Sequence, residues 1–164
     1  IDPESVTGNG LLIKVMNSRE IFSNLETRFD TFKSNTVISS LIGSKLVDDY
    51  PEMAVKYLSD RNHDNLILKS QALKKLAKYE KAIFYGEKAI KLKPNNIEGW
   101  ILCGWCHFEL NNYQESEKYF EGALGCDINS PDALLGKALN LKSQKKDYSH
   151  YNRALESINS DLAI

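Results

Sequence analysis

Two thiols are the most conspicuous chemistry in the chain: Cys103-Gly104-Trp105-Cys106 forms a C-x-x-C motif. Such a pair works as a redox dithiol when its first sulfur sits at a helix N-terminus, where the dipole lowers the thiol pKa. Here the motif falls six residues into a helix that the pattern starts at Ile97, on positions that a helix needs for packing. The strand-then-helix setting of a thioredoxin-like site is missing as well. The expected role of Cys103 and Cys106 is therefore that of small buried hydrophobes. A zinc reading would add His107, one turn after Cys103, and Cys126 near the end of the next helix. Structural zinc favours paired ligands in loops or at element ends, and helix packing already accounts for each cysteine.

No nucleophile elbow, phosphate loop, metalloprotease helix or calcium loop is present in the sequence. His63, His107 and His150 stand in unrelated contexts, and Asp48-Asp49 and Asp60 read as solvated element ends. Lys74, Lys75 and Lys78, and again Lys142, Lys145 and Lys146, read as wet helix faces, with a basic contribution to partner binding as the second reading. The expectation is a chain with no catalytic residues, no cofactor and no metal.

What must position these residues is helical. The 164 residues are 42% hydrophobic and 26% charged, a globular balance, with four prolines and nine glycines to interrupt long segments. No apolar run approaches the roughly 20 residues of a membrane span. A formal net charge of −1 gives no general attraction to nucleic acid or anionic membrane. Three cysteines and no secretory signal suggest reduced thiols and an intracellular setting, cytoplasmic or nuclear. The start at Ile1-Asp2-Pro3, followed by Gly8-Asn9-Gly10, reads as a flexible lead-in or expression remnant over residues 1–10.

A period of 34 residues organises the rest: Leu66, Trp100 and Leu134 share it, as do Ser70, Gly104 and Ala138, Tyr79 and Tyr113, and Ala89 and Ala123. Each period predicts a pair of antiparallel helices. Small residues mark the close approaches, at Ser70, Gly104 and Ala138 on first helices and at Ala82, Ala89 and Ala123 on second ones. Leu66, Leu73, Trp100, Phe120, Leu134 and Leu141 fill the gaps between pairs, because one pair alone cannot bury its apolar face. Ser130-Pro131 opens a helix, Asp147 can cap the last one, and Asn111-Asn112 makes a tight turn.

The pattern resembles the tetratricopeptide repeat (TPR) family. Residues 79–83 (Y-E-K-A-I) and 89–94 (A-I-K-L-K-P) look very like that repeat, and Trp100 and Gly104 fall on its aromatic and glycine positions. Gly86 replaces a bulky residue and Ser116 an alanine. In the third unit Tyr148, Tyr151 and Ala154 fit only with a shift. The resemblance implies an all-α fold, a short right-handed α-solenoid of helix-turn-helix pairs at 63–96, 97–130 and 131–164. Residues 11–62 would add about two extra N-terminal helices and a degenerate half-repeat. There Ile21, Phe22, Leu25, Phe29 and Phe32 share one face after Ser18 as cap. Val37, Ile38, Leu41, Ile42 and Leu46 make a second stripe, and Pro51 opens a helix with Ala54, Tyr57 and Leu58. Residues 11–16 read as the start of a helix.

By the same resemblance, first helices line a concave groove. Asp64, Ile67, Gln71 and Lys74 would face it in the first unit, Glu98, Ile101, Trp105 and Phe108 in the second, and Asp132, Leu135, Leu139 and Lys142 in the third. Chaperone-binding relatives carry a clamp of Lys, Asn and Arg there; Ile67, Gln71, Ile101, Trp105, Leu135 and Leu139 cannot form it, so a chaperone C-terminal tail is not the expected partner. An exposed apolar row marks an interface for an apolar helix or extended segment. The competing reading has the N-terminal helices covering it. The function implied is a protein–protein interaction module, an adaptor or scaffold subunit. A self-associating structural arm is the first alternative, and a thiol redox or zinc protein built on Cys103 and Cys106 the second.

Overall fold

The computed structural model describes residues 13–25, 35–158 and 164, and among them there is no strand. Among the described residues nine α-helices of seven residues or more follow in order: α1 Ser18–Asn24, α2 Thr36–Leu46, α3 Pro51–Tyr57, α4 His63–Lys75, α5 Tyr79–Leu92, α6 Ile97–Glu109, α7 Tyr113–Cys126, α8 Pro131–Ser143 and α9 Ser149–Ile158. The chain forms two compact units that divide between Lys78 and Tyr79, inside the 63–96 period.

Local chemistry sets the helix starts. The cap of α1 is Asn17 rather than Ser18: Asn17 accepts from the Glu20 amide while Glu20 accepts from the Asn17 amide, a reciprocal capping box. Asn35 accepts from the amides of Val37 and Ile38 at the head of α2. Asn62, Asn96 and Ser130 cap α4, α6 and α8, three starts spaced by the 34-residue period. Asp147 accepts from the Ser149 amide at 2.9 Å and so starts α9 two residues late against the period. That delay is the register shift seen in the sequence.

In the first unit, Ile13, Ile21, Leu25, Ile38, Ile42, Leu46, Ala54, Tyr57, Leu58 and Ala72 form one buried cluster. Residues 13–15 are helical, whereas positions 11, 12, 29 and 32 lie outside the described residues. Val37, expected in the second apolar stripe, is 67% exposed in the first turn of α2. Phe22 is exposed as well and stacks flat on Tyr50.

In the second unit, the expected small residues Gly104, Ala138, Ala82, Ala89 and Ala123 are all buried. Phe120 of α7 is fully buried between two glycines: a Cβ at Gly104 would lie 2.8 Å from its ring, and one at Gly136 2.3 Å. Ser116, where the repeat usually has alanine, is buried and donates its hydroxyl to the Gly104 carbonyl at 2.9 Å. Beyond α8, Leu155 of α9 is fully buried and packs with Leu134 and Ala138, while Tyr148, Tyr151 and Ala154 only flank that cluster.

Candidate partner-binding face

The residues assigned to the groove fall in both units. In the first, Ile67 is 3% exposed, so it fills core and offers a partner no surface; Gln71 and Lys74 are half-buried on α4. In the second, Ile101, Trp105 and Phe108 of α6 and Leu135 and Leu139 of α8 are half-buried rather than exposed, and Lys142 is exposed.

Within the second unit the aromatic residues form a chain. The Trp105 ring meets buried Phe120 edge-on at 5.1 Å and Phe108 edge-on at 5.8 Å. Phe108 in turn meets Tyr113 at 5.7 Å. Edge-to-face geometry holds each ring in one orientation. Trp105 is thus seated on the core through Phe120 and keeps part of its surface outside. Leu135 packs beside the Leu134–Ala138–Leu155 cluster, and the Lys142 ammonium lies 5.7 Å from the centre of the Tyr148 ring. The partly exposed side chains of α6 and α8 are therefore apolar, with a cation, Lys142, at the end of α8.

The thiols are placed as packing groups. Cys103 and Cys106 are fully buried, and the Cys103 thiol donates to the Ile83 carbonyl at 3.7 Å. Burial, then the neighbouring Cys106 and Glu87, push the Cys103 thiol far above its ordinary pKa, which disfavours the thiolate that redox or metal chemistry requires. Cys126 is exposed at the end of α7 and its thiol donates to the Pro94 carbonyl. His107 instead stacks on Tyr119 at 5.1 Å. Among the described residues no group of three or more His, Cys, Asp or Glu could hold a metal ion.

Two features had no clear sequence signal. Lys137 of α8 is 2% exposed and donates to Glu117 at 2.8 Å and Glu121 at 2.7 Å, both on α7. Burial alone would lower its pKa, but those two hydrogen bonds, together with the charge interactions of Tyr151 and Glu117, raise the value. The second is a cleft of about 370 Å³ between α5 and α7, lined by Glu87, Ile90, Trp100, Glu115 and Tyr119 among others. The Tyr119 hydroxyl donates to Glu87 across it at 2.6 Å, and the Trp100 indole donates to the Pro94 carbonyl at 2.8 Å. The i, i+4 spacing of Glu117 and Glu121 was the one available hint of a shared cation.

Comparison with known proteins places this geometry in a family context. A family model described as the tetratricopeptide repeat protein 21 N-terminal ARM repeat matches residues 52–162. The structure of YrrB, described as a TPR protein with an unusual peptide-binding site, superposes with a TM-score of 0.75 at 17% identity, over 99% of this chain and 91% of that one. A crystal structure of MamA gives 0.74 at 14% identity, over 88% of each chain. MamA from Desulfovibrio magneticus RS-1 (residue 41 to its end) gives 0.73 at 13% identity, over 87% of this chain and 88% of that one. These similarities show a shared α-solenoid fold of helix pairs. No curated protein matches the sequence.

Proposed function

The chain belongs to the tetratricopeptide repeat protein 21 N-terminal ARM repeat family, and on that footing we propose that it is a protein–protein interaction module, an adaptor or scaffold subunit that performs no catalysis. The observation that carries this reading is the row Ile101, Trp105, Phe108, Leu135 and Leu139, apolar side chains of α6 and α8 that keep part of their surface outside the core. A buried-edge aromatic anchor among aliphatic neighbours is the composition of an interface hot spot. The partner is an apolar helix or extended segment, with Lys142 as a candidate polar contact in the second unit; Gln71 and Lys74 belong to the first unit. The peptide-binding site of YrrB, a protein of the same fold, supports a polypeptide ligand. The exposed thiol of Cys126 suits a reducing setting, cytoplasmic or nuclear. Among the described residues no helix is long and apolar enough to cross a membrane.

Partner capture tests the reading. Trp105→Ala should weaken binding of a captured partner by about 2 kcal/mol, roughly thirtyfold. Because Trp105 also touches Phe120, thermal stability is measured alongside, and Leu139→Lys serves as a second variant. Loss of stability with partner binding intact in both variants would make the row core and end the proposal.

Self-association is the second reading, favoured by apolar side chains elsewhere on the second unit: Phe84 is 51%, Leu92 56% and Ile128 75% exposed. Sedimentation over a hundredfold concentration range separates the two, since a monomer throughout leaves only the heterologous partner.

A further inference from the structure

The first unit carries a cleft of its own. It encloses about 420 Å³, within the range of ligand and peptide sites, and is lined by Phe22, Asp49, Tyr50, Pro51, Glu52, Met53 and Leu76. One wall is the stacked pair Phe22 and Tyr50, whose ring centres are 4.3 Å apart with planes 8° from parallel. Phe22 remains 44% exposed, beside the buried Ile21 and Leu25. The lining is thus an aromatic platform with aliphatic flanks.

Its charge is one-sided. Asp49 and Glu52 are both exposed, and among the described residues the lining contains no basic one. Among the described residues neither makes an ion pair; Asp49 accepts only the Ser18 hydroxyl. The nearby cation Lys75 is already paired with Asp48, at 3.1 Å. An aromatic face beside two exposed carboxylates attracts a cation by the ring quadrupole and by Coulomb force together. Apolar surface alone would accept any hydrophobic segment; the acid rim selects one that also carries positive charge.

We propose that the Phe22–Tyr50 cleft docks a basic, apolar segment of a partner polypeptide, an arginine or lysine side chain lying on the aromatic pair between Asp49 and Glu52.

The test uses the whole chain and three synthetic peptides in calorimetric titration. The peptides are acetyl-Leu-Arg-Leu-Arg-Leu-amide and its analogues with glutamine or glutamate in place of arginine. The arginine peptide should bind at least tenfold more tightly than either analogue, and the margin should shrink as salt is raised. Glu52→Lys, a change on an exposed first-turn residue, should lower arginine-peptide affinity at least tenfold and bring the glutamate peptide up. Phe22→Ala should weaken the arginine peptide while leaving Trp105-dependent partner capture unchanged. Equal binding of the arginine and glutamine peptides would reduce the cleft to a plain apolar surface and overturn the proposal. Unchanged affinity in Glu52→Lys would overturn it too, whatever the Phe22 variant does to folding.

Discussion

Lys137 occupies a repeat position that it shares with Lys69 and Cys103, each 34 residues apart, and all three side chains are largely buried. Lys69 reaches out to the Leu58 carbonyl and Asp60, Cys103 fits without help, and Lys137 needs Glu117 and Glu121. The position wants a slim aliphatic stem, which lysine supplies as long as its ammonium finds partners. The carboxylates are unequal to their cation: their side chains are 25% and 60% exposed, against 2% for Lys137. Deleting the cation lets the acids rehydrate, whereas deleting the acids strands a buried charge. Urea denaturation should therefore find Lys137→Met within about 1 kcal/mol of the parent chain, while Glu117→Ala with Glu121→Ala costs on the order of 3 kcal/mol. Equal losses would mean that the bridge itself, not the burial of Lys137, sets the energy. The small residues Ala82, Ala89, Gly104, Ala123 and Ala138 were legible as packing sites because size alone decides them. Lys137 was not, because a lysine in a local pattern reads as surface and its partners come from another helix.

Each first helix of a repeat is ended by one repeated device. Ala77, Asn111 and Lys145, again 34 residues apart, are non-glycine residues with φ of 53°, 58° and 57°. Each follows a first helix and closes it with two hydrogen bonds. The Ala77 amide reaches the Lys74 carbonyl and the Lys78 amide the Leu73 carbonyl; 111–112 and 145–146 do the same. This is a Schellman ending, whose left-handed residue is usually glycine. An alanine or lysine there pays about 1–2 kcal/mol of steric cost, partly offset by the extra freedom glycine gives the unfolded chain. Ala77→Gly and Lys145→Gly should each raise stability by roughly 0.5–1 kcal/mol in urea melts, and Asn111→Gly by less, since asparagine tolerates this region. A loss in the first two would show that the side chains make compensating contacts. The turn at Asn111-Asn112 was visible in the sequence because asparagine announces it; the equivalent turns at Ala77 and Lys145 were visible only through the period. The cap of α1 was misplaced by one residue because Asn17 and Ser18 both can cap. Glu20, three residues after Asn17, is what decides between them.

For the whole molecule the acidic and basic charges nearly balance, 22 against 21, so neutral pH imposes little self-repulsion. Stability should then follow the few groups whose environment differs between folded and unfolded chains. His107 is one. Its Nδ1 is buried with no hydrogen-bond partner and its ring lies against Tyr119. Burial lowers its pKa, and the carboxylates of Glu115 and Glu87 only partly counter that. The unfolded chain takes up the proton near pH 6.5 while the folded chain still excludes it, so stability is full above that pH and declines as pH falls below it. Glu117 adds a second, more acidic stage: the Lys137 hydrogen bond holds its pKa down, so its contribution stands above the ordinary carboxylate range, near pH 4.3, and is lost below it. Lys137 has the opposite sign, contributing below about pH 10.4 and failing as pH rises through its raised pKa. The melting temperature should thus fall in two stages on acidification. His107→Phe keeps a ring against Tyr119 and removes the titration; it should flatten the stage that begins below about pH 6.5 and leave the more acidic one in place. A His107→Phe profile parallel to the parent's through the first stage would show that the buried nitrogen is hydrated as well in the folded chain as in the unfolded one. It would then move the origin of acid sensitivity from the α6–α7 pair to the carboxylates alone.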